Sequence, residues 1–346
     1  MRLRKQGPSA SMATAYHRVT RSIRHTAPYR SSNDVAGAYD YVGDDYGRYA
    51  DGDGLDNPSA STINRFAHAD SIVWATICKA INELRDDGVT TLRVLDAGCG
   101  PGTWLARVVC QAHCLGLCIE AVGFDVAPGQ LEIARKNAAR IRPRHPRDTS
   151  KIKFLRHDLG EPLPWTDGHF HLVLCNYVVL NHLPKSVLPR AIRELCRVGS
   201  FRVVATVRAL AGPPTGCIIG LDQVRDYRED CNRGKLALVL KDGTEHVVTF
   251  NLYGATSLKA LFASHAAIVD LRAIDLFVSR FAPDANWTGN LVNALPGRQD
   301  VVQKLKEIEE TLCRLPGWID HGTHVLIVAD PNAKATPSQR SDRSRR

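Results

Sequence analysis

The sequence lacks several features that would assign it to common classes of protein. No apolar run approaches the roughly 18 residues that a membrane-spanning helix needs, and there is no apolar core of a secretory signal. Ten cysteines occur among 346 residues, yet no two have the C-x2-C spacing of zinc or redox sites. The phosphate-binding pattern G-x-x-x-x-G-K-S/T is absent as well. We therefore expect no membrane contact, no bound metal and a reducing cytoplasmic compartment.

Three of the cysteines follow one another at intervals of four residues: Cys110, Cys114 and Cys118. This spacing predicts that they share one face of a helix. Cysteine in such a pattern behaves as a small buried hydrophobe, so we interpret the three as core residues.

The net charge of +9 is concentrated at the two ends of the sequence. Residues 1–30 carry seven basic side chains and no acid, residues 331–346 carry a net charge of +4, and residues 31–330 carry −2. We predict a basic disordered leader over 1–33, a folded domain over 34–330 and a basic disordered tail over 331–346. The composition of the leader also fits a transit peptide or an upstream translation start. The nearly neutral body argues against specific binding of nucleic acid.

The most informative stretch runs from Leu92 to Thr103. It predicts a buried strand that ends in an acid, Asp96, and continues through Gly98, Gly100 and Gly102 into a helix. Glycines at the carboxyl end of a parallel strand allow a ligand to approach the backbone and the helix N-terminus. The third glycine comes one residue earlier than in the dinucleotide pattern G-x-G-x-x-G, so a different nucleotide-type cofactor is indicated.

This stretch resembles the first motif of the class I S-adenosylmethionine (SAM) methyltransferases. Three further acid or amide positions follow in the order and spacing of that family, at Asp125, Asp158 and Asn176. The resemblance implies that they hold the ribose hydroxyls, the adenine and the methionine portion of SAM. The implied cofactor site consists of Asp96, Gly98, Gly100, Gly102, Asp125, Asp158, Leu159 and Asn176.

Alternating strand and helix patterns predict an α/β fold. Seven strands are expected, and the resemblance implies a Rossmann-like doubly wound sheet in the order 3-2-1-4-5-7-6 with the last strand antiparallel. Residues 210–250 interrupt this pattern. They contain two strand-like runs, Leu236 to Leu240 and His246 to Phe250, joined by Asp242-Gly243, which predicts a β-hairpin. We expect this insertion to form a lid over the acceptor.

An N-terminal segment, residues 34–90, precedes the sheet, and its Tyr-rich part is residues 39–49. That part is similar to a segment that closes over the acceptor in small-molecule methyltransferases, with Gly43 and Gly47 in place of the usual Ala and Asp. Tyrosine faces and neighbouring aspartates suit a cationic sulfonium. A surface turn rich in tyrosine is the alternative interpretation.

Methyl transfer is an in-line displacement that requires alignment and exclusion of water, and a base only when the nucleophile needs one. The candidate catalytic residues are His182, Tyr46 and Tyr177. Histidine is suited to take a proton near neutral pH. A capping role at the Leu183-Pro184 turn is the alternative for His182.

Two arginines and two aromatic residues are candidates for binding the acceptor: Arg208, Arg280, Phe277 and Trp287. Together they would suit an anionic, partly apolar molecule, such as a carboxylate or an isoprenoid diphosphate. The alternative is a surface ion pair beside core aromatics.

Three functions are consistent with the sequence. The first is a SAM-dependent methyltransferase that acts on a small molecule. The second is methylation of RNA or protein, with the basic ends providing non-specific attraction. The third is a regulator that binds SAM without catalysis.

Overall fold

The computed structural model describes residues 31–41, 67–141, 150–212, 224–230, 232–278 and 298–333. Its helices are α1 Ser31–Tyr41, α2 Ala67–Asp86, α3 Thr103–Cys114, α4 Pro128–Ala139, α5 Leu188–Val198, α6 Ala255–Ala263 and α7 Arg298–Leu312. Its strands are β1 Thr91–Ala97, β2 Cys118–Asp125, β3 Lys151–Arg156, β4 Phe170–Cys175, β5 Gly199–Arg208, β6 Val224–Asp230, β7 Lys235–Leu240, β8 Glu245–Thr249, β9 Ala267–Ile274 and β10 His324–Asp330. The described residues from Ser32 onward belong to one compact unit.

Seven strands form the main sheet in the order β3-β2-β1-β4-β5-β10-β9. Strands β1 to β5 pair in parallel, whereas β10 is antiparallel to both β5 and β9. The predicted order 3-2-1-4-5-7-6 is confirmed, because β9 and β10 are the sixth and seventh strands of this sheet. The carboxyl ends of β1, β2, β4 and β5 therefore meet at one edge, where open α/β sheets bind ligands.

Helices cover both faces of this sheet and bury its apolar strands. On one face α2 and α3 pack on β1, β2 and β4 through Ile77, Leu105 and Leu172. On the other face α5 and α6 pack through Ile192 and Phe262. Burial on both sides explains the continuous apolar runs of β4 and of the second half of β5.

The insertion and α1 together form a cover at the carboxyl edge of the sheet. Strands β6, β7 and β8 make a separate antiparallel sheet, which we call the cover sheet. Its buried apolar side chains cluster with Val35 and Ala38 of α1, and Val126 and Val178 pack against the same cluster. Val126 follows β2 and Val178 follows β4, so the cover lies on the loops that follow these two strands.

Two buried asparagines attach the cover sheet to the main sheet. The Asn181 side-chain amide donates to the carbonyl of Asn251 at 2.6 Å, and its oxygen accepts the Arg208 N–H at 2.9 Å. The Asn251 side-chain amide donates to the carbonyl of Leu183 at 3.0 Å. Asn251 comes two residues after β8, so one end of the cover sheet is held firmly.

The structure corrects two local predictions and adds a short helix after β4. The charged stretch around residues 224–230 is a third strand of the insertion, which therefore is a three-stranded sheet and not a hairpin. Cys118 begins β2 and does not share a helix with Cys110 and Cys114, because Gly116 with φ of 72° ends the turn after α3. The run after β4 continues as a 3-10 helix, Tyr177–His182.

At the N-terminus, α1 includes the first three residues of the Tyr-rich segment and begins at Ser31, three residues before the predicted domain boundary. Residues 1–30 and 334–346, which make up most of the predicted leader and tail, lie outside the described residues. In the part of the chain that is described, no helix has the length and apolar character to cross a membrane.

Candidate active site

The loop after β1 contains three glycines with left-handed backbone. Gly98, Gly100 and Gly102 have φ of 70°, 51° and 79°, which other residues adopt only with strain. A Cβ on Gly98 would lie 2.5 Å from a methyl group of Val179, and one on Gly102 would lie 3.1 Å from the Cβ of Ala134. These two glycines therefore permit close packing of the protein on itself.

Gly100 has a different environment. Among the described residues, the nearest atom to a Cβ built on it is Oε1 of Gln130, at 4.0 Å. The loop thus leaves open space above Gly100, bordered by the polar ends of β1, β2 and β4. We call this space the cradle.

Asp125, at the end of β2, closes one side of the cradle. Its Oδ2 accepts the Gly100 N–H at 2.8 Å, and its Oδ1 accepts the Ala127 N–H at 3.0 Å. Burial raises the pKa of this carboxyl, and these backbone hydrogen bonds oppose the rise. Each carboxylate oxygen retains a further lone pair, which suits the vicinal hydroxyls of a ribose.

Two buried side chains at the ends of β1 and β4 have unsatisfied polar atoms. Asp96 is 1% exposed, and its Oδ2 has no hydrogen-bond partner among the described residues. Asn176 is 6% exposed, and within the same ranges both its amide atoms lack partners. Buried polar groups are normally hydrogen-bonded. These groups therefore fit a polar ligand such as the methionine portion of SAM.

The ionisation of Asp96 reflects its position. Burial first, and then the neighbouring Asp125, raise the pKa of Asp96 to about 7. A cationic ligand in the cradle would favour the ionised form of this acid.

Asp158 and Leu159 follow β3. The Asp158 carboxylate accepts the Gly160 N–H at 2.7 Å, which stabilises the turn, and Leu159 is buried in the core near Phe124. Contact of Asp158 and Leu159 with the adenine stays a prediction.

Two residues at the start of α3 were missed in the sequence. The Thr103 hydroxyl and the Trp104 indole N–H are buried, and neither has a partner in the described parts of the chain. Thr103 occupies the position at which the dinucleotide pattern has its third glycine, and the sequence shows there only that glycine is absent. The sequence contains no signal that distinguishes this tryptophan from a core residue.

His182 lies at the end of the 3-10 helix, beneath the cover. Its Nδ1 is 2.7 Å from the carbonyl oxygen of Thr249 in β8, so Nδ1 must be the donor. Its Nε2 is then the acceptor for the Tyr39 hydroxyl of α1, at 2.9 Å. Burial lowers the pKa of His182 to about 4. The imidazole is therefore neutral near pH 7, and it links α1 to the cover sheet.

Tyr177 has φ of 59° at the first position of the 3-10 helix. Its hydroxyl donates to Asp70 of α2, its N–H donates to Thr206, and its ring packs on Trp104. Asp70 in turn pairs with buried Arg107 at 3.5 Å. The phenol is thus engaged by a buried polar cluster.

The four acceptor candidates are not all brought together. Arg208 is 1% exposed at the end of β5, with its guanidinium carbon 6.0 Å from the ring centre of Phe250. Phe277 packs instead on Trp318, with ring centres 5.8 Å apart. Arg280 and Trp287, together with the catalytic candidate Tyr46, lie outside the described residues. Within the described ranges, no group of three or more His, Cys, Asp or Glu side chains could hold a metal.

The chain was compared with protein families, curated proteins and solved structures. Residues 94–200 match a family model described as a methyltransferase domain. A search of curated proteins finds no match to the chain.

Solved structures similar to the chain include the PH0226 protein from Pyrococcus horikoshii, at 14% identity, covering 75% of this chain and 91% of that one, with a TM-score of 0.43. They also include magnesium protoporphyrin IX methyltransferase from Synechocystis, at 16% identity, covering 70% of this chain and 93% of that one, with a TM-score of 0.43. A third is geranyl diphosphate C-methyltransferase from Streptomyces coelicolor, at 14% identity, 88% and 100% coverage and a TM-score of 0.41.

The matched residues run from within β1 to the start of β5 and contain the glycine loop, Asp125 and Asn176. The sheet order, the cradle and the family match lead to one identification. Residues 94–200 carry a methyltransferase domain, and the sheet that contains them has the class I, SAM-dependent fold.

Proposed function

We propose that this protein transfers the methyl group of SAM to a small-molecule acceptor held between the cradle and the cover. The observation that carries the proposal is the cover itself. Helix α1 and the cover sheet pack together on the loops after β2 and β4, at the edge where β1, β2, β4 and β5 end.

The chemistry of the cover supports a small acceptor. Its buried cluster is apolar, with Leu238, Val248 and Phe250 from the cover sheet and Val35 from α1. An enclosed apolar site excludes water, which strengthens electrostatic interactions and protects a reactive cofactor from hydrolysis. A large substrate such as folded RNA would need an open surface at this edge.

SAM, when bound, supplies an electrophilic methyl group, so the protein has to align the acceptor and exclude water. We assign Gly100, Asp125, Asp96 and Asn176 to holding the cofactor. His182 is a weak base at neutral pH, because burial lowers its pKa to about 4 and both of its nitrogens are engaged. We propose that it orients the Tyr39 hydroxyl.

This assignment favours an acceptor that is already nucleophilic, such as a carboxylate, a thiolate, an amine or an electron-rich carbon. The buried guanidinium of Arg208 at the end of β5 supports an anionic member of that group. Arg280, Phe277 and Trp287 remain candidates for the same role.

The test is a transfer assay with isotopically labelled SAM. The full-length protein is offered carboxylates, isoprenoid diphosphates, phenols, amines and thiols, and separately RNA and protein. We expect label in a small molecule and stoichiometric S-adenosylhomocysteine (SAH). Asp125→Ala is the control, because it removes the proposed ribose acceptor.

Label appearing only in RNA or protein would contradict the proposal. SAM binding without transfer to any acceptor would favour the regulator instead.

A further inference from the structure

Gln130, in the first turn of α4, connects the cradle to α1. Its side chain is buried, with 1% of the residue exposed. The amide Nε2 donates to the backbone carbonyl of Tyr39 at 2.9 Å. The amide Oε1 is buried and has no hydrogen-bond partner among the described residues.

The hydrogen bond to Tyr39 decides which atom of the Gln130 amide is the nitrogen and which is the oxygen. A carbonyl only accepts hydrogen bonds, so the atom that faces Tyr39 must be the nitrogen, and the oxygen takes the other position. That oxygen lies 4.0 Å from where a Cβ on Gly100 would be. It therefore borders the cradle, together with Asp125, whose carboxylate accepts the Gly100 N–H.

A buried acceptor without a partner is costly, because it has lost its hydrogen bonds to water. At the edge of a ligand site it is expected to find its donor on the ligand. SAM carries hydroxyl and ammonium donors, and an amide oxygen can accept from either.

The residue before Gln130 also holds α1. The Gly129 N–H donates to the carboxylate of Asp40 at 2.7 Å. Tyr39 and Asp40 in the last turn of α1 are thus bound by two adjacent residues of α4. Of these two contacts, only the one through Gln130 continues to the cradle.

We propose that Gln130 is a cofactor-contacting residue whose amide couples cofactor binding to the docking of α1. A ligand donor on Oε1 fixes the planar amide and polarises it, which strengthens the bond from Nε2 to Tyr39. Because α1 is part of the cover, cofactor binding stabilises the docked position of α1. The inference rests on SAM binding and holds for any acceptor.

The test is amide hydrogen exchange of α1 in the full-length protein with and without saturating SAH, with SAH affinity measured by calorimetry. Three variants are compared with the wild type. Gln130→Leu removes the hydrogen bond to Tyr39 and the proposed hydrogen bond to the cofactor. Asp40→Ala removes only the hydrogen bond from Gly129. Gln303→Leu changes an exposed glutamine of α7 and is the control.

We expect SAH to slow exchange of α1 in the wild type, in Gln303→Leu and in Asp40→Ala, although Asp40→Ala exchanges faster in both states. In Gln130→Leu we expect α1 to exchange equally with and without SAH, and SAH to bind about fivefold to tenfold more weakly, as for loss of one buried hydrogen bond.

Two outcomes would overturn the inference: wild-type SAH affinity in Gln130→Leu, or retained slowing of α1 in that variant. If Gln130→Leu does not fold, Gln130→Met provides the same comparison. The exchange and calorimetry experiments contain no methyl acceptor, so a negative result in them does not bear on the small-molecule acceptor. The transfer assay tests that proposal separately.

Discussion

Three glycines of one loop share a backbone conformation but have different neighbours. At Gly98 a side chain would collide with Val179, and at Gly102 it would crowd Ala134. Of the three glycines, only Gly100 borders the cradle. Substitutions at the first and second of these positions should therefore fail in different ways.

Gly100→Val should abolish measurable SAH binding, because its side chain extends into the cradle. Gly98→Ala should instead lower the thermal unfolding temperature, since its Cβ overlaps Val179, and Gly98→Ala/Val179→Ala should recover part of the loss. Calorimetry and thermal unfolding distinguish these effects. Normal SAH affinity in folded Gly100→Val would refute the assignment of the cradle.

We predict that the affinity for SAM depends on pH through the ionisation of Asp96. Its pKa of about 7 in the folded protein lies above the value of an unfolded aspartate, so its contribution destabilises the cofactor-free protein progressively as pH rises from about 4 to 7. Cationic SAM favours the ionised acid, so its affinity should rise with pH up to about 8.

Calorimetry in two buffers of different ionisation enthalpy should detect proton release when SAM binds near pH 6.5. Asp96→Asn should lose this release. Identical proton release in that variant would assign it to another group.

Arg208 tests the proposed anionic acceptor. Arg208→Gln should lower kcat/KM for such an acceptor by about tenfold to a hundredfold, the effect of losing one charge-assisted hydrogen bond. SAH affinity should change little. Arg202→Gln, at the amino end of the same strand, is the matched control. Equal turnover by both variants would exclude Arg208 from acceptor recognition.

The two parts of the cover are attached to the rest of the protein through different groups. The cover sheet is anchored by Asn181 and Asn251, which are buried and bonded to each other. Helix α1 is held at its end through Asp40, the Tyr39 carbonyl and the bond from the Tyr39 hydroxyl to His182.

Asn251→Ala should separate these two parts experimentally. We expect a loss of about 1 to 3 kcal/mol in the free energy of unfolding, because the Leu183 carbonyl loses its buried donor. Hydrogen exchange should accelerate in β7 and β8 but not in β1 or β4. Exposed Asn332→Ala is the control, and uniform acceleration across the main sheet would contradict local anchoring.

Element predictions succeeded where a single pattern dominated. Strand β4 is buried along most of its length and is correspondingly apolar, and the Asp242-Gly243 turn marked β7 and β8 correctly. Strand β6 was missed because its sequence, VRDYRED, is dominated by charged residues. Among the described strands it pairs with β7 alone, so it is an edge strand of the cover sheet, where charged residues are common.

For the whole molecule, charge and folding are separated along the chain. The basic residues concentrate in 1–30 and 331–346, whereas residues 31–330 carry a net charge of −2. Attraction to polyanions should therefore depend on the ends, and cofactor binding should not.

A chain truncated to residues 31–330 should bind SAH with unchanged affinity and lose any salt-dependent binding to RNA. Titration with RNA at low and high salt, beside the full-length chain, checks this. Tight, salt-sensitive RNA binding by the truncated chain would favour the RNA methyltransferase alternative.

The sequence by itself determined the sheet order, the cofactor and the positions of Asp96, Asp125 and Asn176. These depend on local strand, loop and helix patterns that lie close together in the chain and resemble a known family. Tertiary structure decided which glycine borders the cradle, the neutral state of His182 and the bond from the Gln130 amide to Tyr39. Those properties depend on burial and on partners from 67 to 143 residues away, such as Thr249 and Tyr39, which no local pattern encodes.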